Sequence, residues 1–160
     1  MRYRPAAHRR PTKEAAVTVR ILLIDDNHTF LAAVKLFLGL ELQAEVVGEA
    51  YDGFEALVKA RELQPDLVLL DINLPAINGL DVARRILSWA HAPHIVFLSM
   101  HDDSAYREVA NNLGASGFIG KADFGEQLLP MIGRIAARKA APASRPLTQV
   151  SGMPQRVAPW

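Results

Sequence analysis

Five side chains in this sequence could share one piece of chemistry: Asp25, Asp26, Asp71, Ser99 and Lys121. Asp71 follows four apolar residues, Leu67-Val68-Leu69-Leu70, and precedes a loop marked by Pro75 and Gly79. Asp25 and Asp26 close the run Val19-Arg20-Ile21-Leu22-Leu23-Ile24 in the same way. Ser99 ends a third apolar run, Ile95-Val96-Phe97-Leu98, and Lys121 follows a fourth, Gly117-Phe118-Ile119. Two carboxylates about 5 Å apart repel by roughly 3 kcal/mol at an effective dielectric near 20. A purely structural role would not favour such crowding, whereas a divalent cation would relieve it. Oxygen ligands without histidine or cysteine beside them suit Mg2+. Carboxylates, metal, hydroxyl and ammonium together make a site for a phosphoryl group, and a carboxylate can be its nucleophile. Taken singly, each residue has a plainer use. An acid or a serine after a strand is often a helix cap, and a lone lysine there is usually solvated. Only the joint pattern carries the chemistry.

That pattern needs elements that bring its members together. The apolar runs are continuous rather than alternating, as expected of strands buried on both faces. A short β-branched run at Val46-Val47-Gly48 adds a fifth strand. Between them, apolar residues recur at helical spacing. Residues 28–42 place Leu31, Val34, Leu38 and Leu42 on one helix, and Phe54, Leu57, Val58 and Leu63 fall on a second that ends before Pro65. Leu80, Val82, Ala83, Ile86 and Leu87 mark a third, Tyr106, Val109, Ala110 and Leu113 a fourth, and residues 123–139 a fifth. Pro130 and Gly133 interrupt this last pattern, which predicts a kink or a late start. Five strands alternating with five helices predict an α/β fold, a doubly wound parallel sheet covered on both faces. In such sheets ligands bind outside the carboxyl ends of the strands, where the strand order switches. With the first and third strands as neighbours, the three carboxylates converge there.

The whole chain sets the bounds. Its 160 residues are 50% apolar, which suits a single domain with a real core. No apolar run reaches the roughly 18 residues of a membrane span, so no membrane association and a cytoplasmic location are expected. Cysteine is absent, which excludes disulfides and thiol chemistry. Charge is unevenly spread: residues 21–133 hold 7 basic against 16 acidic residues, and both ends are basic. Six of the ten prolines also lie in the ends. Residues 1–18 and 140–160 are therefore expected to be disordered extensions, the first basic and the second Pro-rich, around a domain at 19–139.

ILLIDDNHTF, DGFEAL, LVLLDINLPAINGLD, VFLSMHDD and GASGFIGK, in that order and spacing, resemble the receiver domain of two-component response regulators. The LSMHDD and GASGF stretches are similar to the NarL/LuxR-type branch, whose members usually carry a C-terminal helix-turn-helix domain. The resemblance implies a flavodoxin-like strand order of 2-1-3-4-5. It implies that Asp71 accepts a phosphoryl group from a histidine kinase or histidine phosphotransfer protein. Asp25, Asp26, Asp71 and the backbone carbonyl of Asn73 would hold Mg2+, with Mn2+ as a substitute. Lys121 would pair with the phosphoryl oxygens, Ser99 would move to meet them, and Phe118 would follow by changing rotamer. Asn73 and His101 would influence how fast water removes the group, and Met100 would narrow access for small phosphodonors. The fourth helix, fifth strand and last helix would form a switched surface for a downstream protein, with homodimerisation as one use of it.

Only 21 residues follow the expected domain, too few for a helix-turn-helix unit to build a core. A stand-alone receiver that binds a protein partner is therefore expected, without helix-turn-helix binding to DNA; a truncated transcriptional regulator is the alternative. The competing enzyme reading is a Mg2+-dependent phosphatase of the haloacid-dehalogenase type, which would place a second acid two residues after its nucleophile. Asn73 stands there instead, so self-phosphorylation and slow autodephosphorylation are expected rather than turnover. A degenerate receiver serving as a scaffold is a third reading, opposed by the intact key positions.

Overall fold

The computed structural model describes residues 16–101 and 104–141. Strands and helices alternate as β1 (Val19–Ile24), α1 (His28–Leu38), β2 (Ala44–Ala50), α2 (Gly53–Leu63) and β3 (Leu67–Asp71). They continue as α3 (Gly79–Leu87), β4 (His94–Ser99), α4 (Ser104–Asn112), β5 (Gly117–Gly120), a 3-10 turn at Lys121–Asp123 and α5 (Phe124–Ala140). Polar residues start the helices: Asn27 accepts from the Phe30 N–H, Asp52 from Glu55 and Asn78 from Asp81, each satisfying a donor left open in a first turn.

All five strands are parallel, in the order β2-β1-β3-β4-β5. This is the expected doubly wound arrangement, with the order switching between β1 and β3. Every residue of β3 is buried, because helices cover both sides of it. Strand period two sorts the side chains into two layers. Leu22, Ile24, Val68, Leu70, Ile95 and Phe97 pack towards α2 and α3. Ile21, Leu23, Leu67, Leu69, Val96 and Leu98 pack towards α1 and α5. At the amino edge of the sheet, Lys139 from the end of α5 donates to Asp66 at 2.7 Å and to the Thr18 carbonyl at 3.0 Å. The Arg20 N–H also donates to Asp66, at 2.8 Å.

Three details differ from the sequence pattern. The first helix stops at Leu38 with Gly39 as its cap, which leaves Leu42 beyond it and 83% exposed. On α2 the small residues Gly53, Ala56 and Ala60 are the buried ones, and Phe54 and Val58 turn outward. The close approach at Gly53, where Ile77 would collide with a Cβ, selects the small face over the apolar one. The third concerns Pro130. Helix α5 begins six residues before it, so there is no late start. Proline lacks an N–H, so the Glu126 carbonyl loses its helical donor; both residues are exposed, and water can serve that carbonyl. No helix among the described residues is long and apolar enough to cross a membrane. The expectations for the two ends fall almost wholly on residues outside the described ones.

Candidate functional site

Adjacent strands deliver the acids to one place. β1 pairs with β3 from Ile21↔Leu67 to Ile24↔Leu70, so the residues that follow, Asp25 and Asp71, emerge side by side. One carboxylate oxygen from each of Asp25, Asp26 and Asp71 lies within 4.8 Å of the others. Asp25 is completely buried and Asp71 nearly so, while Asp26 is exposed. Burial first, and then the neighbouring Asp25 charge, push the Asp71 carboxyl up to about 6 against the pull of Lys121. The Asn73 N–H also favours the ionised form by donating to Asp71.

Lys121 supplies the cation. It is buried, reached through the 3-10 turn that follows β5, and its Nζ lies 2.6 Å from Asp25 Oδ2 and 3.4 Å from Asp71 Oδ1. The approach to Asp25 Oδ2 is close enough for an ion pair but is not aligned as a hydrogen bond, so that buried oxygen keeps an open acceptor position. One lysine cannot balance three carboxylates. The oxygen donors, their spacing and the orphaned Asp25 atom fit a hard divalent cation such as Mg2+.

Two contributors were not picked out from the sequence. Asn27, besides capping α1, donates its N–H to Asp25 Oδ1 at 2.8 Å and holds that carboxylate in place. Phe30, one turn along α1, lies under the Lys121 ammonium at 4.8 Å. The cap preference of an Asn directly after Asp-Asp was the available signal for the first; the second depends on a tertiary crossing. Gly79, read from sequence only as a loop marker, has a tighter role. A Cβ there would collide with the Asp71 carbonyl oxygen, so only glycine lets α3 start directly against the acid. Its N–H donates to the Ile72 carbonyl at 2.8 Å.

The remaining expected residues form a rim. Ser99 is buried at the end of β4, and its hydroxyl donates to the His101 carbonyl at 2.8 Å and accepts from the His101 N–H at 3.3 Å. That hydroxyl is engaged by its own loop rather than by the carboxylates. Asn73 and His101 are exposed beside the acids and Ser99, and Met100 is 69% exposed. Phe118 is buried on β5, with Arg107 stacked 4.8 Å from its ring centre. A separate groove of about 850 Å³ lies at the opposite, amino edge of the sheet, lined by residues such as Arg61, Trp89 and Arg138, and takes no part in this cluster.

Clustered carboxylates with a paired lysine are a setting in which a phosphoryl group can be accepted and held. The family profile of the response regulator receiver domain matches residues 21–132. Among curated relatives, the transcriptional regulatory protein DegU of Brevibacillus brevis is 32% identical over 118 residues, 74% of this chain and 50% of DegU. A protein-glutamate methylesterase/protein-glutamine glutaminase of Caldanaerobacter subterraneus subsp. tengcongensis is 38% identical over 64% of this chain and 28% of that enzyme. Among solved structures, the signal receiver domain of NarL from Mycobacterium tuberculosis superposes with a TM-score of 0.70 at 31% identity, covering 76% of this chain and 98% of that one. The chain thus spans half or less of the length of these two curated relatives.

Proposed function

Because the chain belongs to the response regulator receiver family, we propose that Asp71 is the phosphoryl acceptor, fed by a histidine kinase or a histidine phosphotransfer protein. The observation that carries this reading is the carboxylate cluster itself: the buried Asp25 and Asp71 and the exposed Asp26 within 4.8 Å, beside a buried lysine and at the strand switch point. Asp25, Asp26 and Asp71, with the Asn73 carbonyl, would hold Mg2+. When bound, the ion would neutralise charge on the carboxylates and on the incoming phosphoryl oxygens. An ionised Asp71 oxygen attacks phosphorus; the bond from phosphorus to the donor imidazole breaks, and its electron pair returns to the donor nitrogen. Lys121 then exchanges part of its pairing with Asp25 and Asp71 for a phosphoryl oxygen. Ser99 releases the His101 backbone and donates to another oxygen, and Phe118 adjusts beside it. His101, Met100 and Asn73 border the route by which water arrives, and so tune the lifetime of the aspartyl phosphate.

A receiver of this kind acts as a regulator without turnover of a substrate. The match to the methylesterase covers 28% of that enzyme, so its activity is not carried over. Asn73 two residues after Asp71, in place of a second acid, also argues against a phosphatase. The output of the switch is a protein-binding surface on α4, β5 and α5.

Incubation with Mg2+ and acetyl phosphate, or with a cognate kinase, should add one phosphoryl group, read by intact mass spectrometry. Asp71→Asn should take none. Labelling that persists in Asp71→Asn would refute the assignment.

A further inference from the structure

Helix α4 is thinly held. Of its nine residues only Ala110 is buried, and the apolar side chains of Tyr106 and Val109 are 37% and 36% exposed. So short a helix is marginal without docking, and one alanine offers little of it. Arg107 supplies a further attachment. Its guanidinium carbon sits 4.8 Å from the Phe118 ring centre, and Nη1 donates to the Phe118 carbonyl at 3.4 Å. A cation over an aromatic face is attracted by the ring quadrupole.

The position of Phe118 gives this contact a consequence. Phe97 pairs with Phe118, and Ser99 with Gly120. By strand period two, all four residues share one face of the sheet, the face that α4 covers. Phe118 and Ser99 therefore flank Gly120, a position with no side chain of its own. The Ser99 hydroxyl is meanwhile bonded to the His101 backbone. The Arg107 contact and the engaged Ser99 belong to the same arrangement of the molecule. A contact made in one of two states biases the equilibrium by its differential free energy.

We infer that Arg107 is a positioning residue for phosphoryl transfer: by covering Phe118 it holds α4 and β5 where Ser99 is kept from the acceptor, and so it slows the reaction. This rests on the reading of Asp71 as the acceptor. The test is the initial rate of Mg2+-dependent labelling by acetyl phosphate, with thermal melts as a check on folding. Arg107→Met, which keeps length but loses charge, should react roughly threefold to tenfold faster than wild type. Arg107→Lys, which keeps a cation over the ring, should stay near the wild-type rate. In a Phe118→Leu background the acceleration by Arg107→Met should shrink, because the ring is gone and only the bond to the carbonyl of residue 118 is left to lose. Arg107→Gln provides the same comparison if Arg107→Met folds poorly. An unchanged or slower rate in the charge-free variants overturns the inference, as does an equal acceleration with and without Phe118. If wild type itself takes no label, the acceptor reading fails first; labelled wild type with unaltered Arg107 variants sinks the inference alone.

Discussion

The two ends of the β3–β4–β5 half of the sheet are held very differently. Around Asp71 the backbone is fixed from every side: β3 is wholly buried, Gly79 brings α3 against the acid, and Asn27, Asn73 and Lys121 hold the carboxylates. Around Ser99 and Phe118 the cover is one helix that buries one alanine and leans on an exposed arginine. Reaction chemistry needs fixed groups, whereas a signal needs an element with two accessible positions. Asp71 and Ser99 stand on adjacent strands, so that in the proposed switch a change at the first is one strand away from the second.

The contrast can be broken most strongly at its rigid half. Leu70→Ala empties a fully buried position on β3 and should cost about 3 kcal/mol, measured by urea denaturation. A loss under 1 kcal/mol would mean that β3 is not the framework described. Next comes Gly79→Ala, whose methyl group must displace the Asp71 backbone. It should cost about 2 kcal/mol in the same assay, and should slow labelling of Asp71 as well. Equal labelling rates would uncouple α3 from the acceptor. At the loose half, Tyr106→Ala removes a partly exposed ring and should stay within about 0.5 kcal/mol of wild type. A larger loss would show α4 to be more firmly docked than its burial implies.

The smallest effect belongs to neither half and serves as their control. Burial first, and then Arg138, hold the His94 imidazole below its usual range, against Asp66. The unfolded chain then binds this proton more readily than the fold does. Stability from this residue is complete above the ordinary histidine range and declines as pH falls through it. His94→Asn should flatten that part of the stability profile slightly and leave labelling of Asp71 unchanged. A steeper acid loss in the variant would mean that the fold favours the protonated imidazole instead.

Much of the acid cluster was legible because fully buried parallel strands leave an unmistakable trace. Uninterrupted apolar runs such as Leu67 to Leu70 can end in a carboxylate only where the sheet meets solvent or a ligand. The alternation of strands with helices then fixed the layers, and chirality limited their order. What stayed hidden depends on contacts between distant segments. Phe30 beneath Lys121 needs the crossing of α1 over β5's exit, which no local pattern encodes. The hydroxyl of Ser99 could point either way until its loop was seen to hold it. The helix patterns misled where small residues, at Gly53, Ala56 and Ala60, took the buried face of α2 from Phe54 and Val58, since the close approach of Ile77 to Gly53 counts for more than hydropathy there.

Lys139, clasping Asp66 and Thr18, pins the last turn of α5 beneath the sheet. Fifteen residues at about 1.5 Å each separate that point from Phe124, so the two ends of α5 lie about 23 Å apart. A label attached at residue 141 would therefore sit at the pole opposite the start of α5. Such a label would respond to events at Asp71 only through changes carried along the length of the helix.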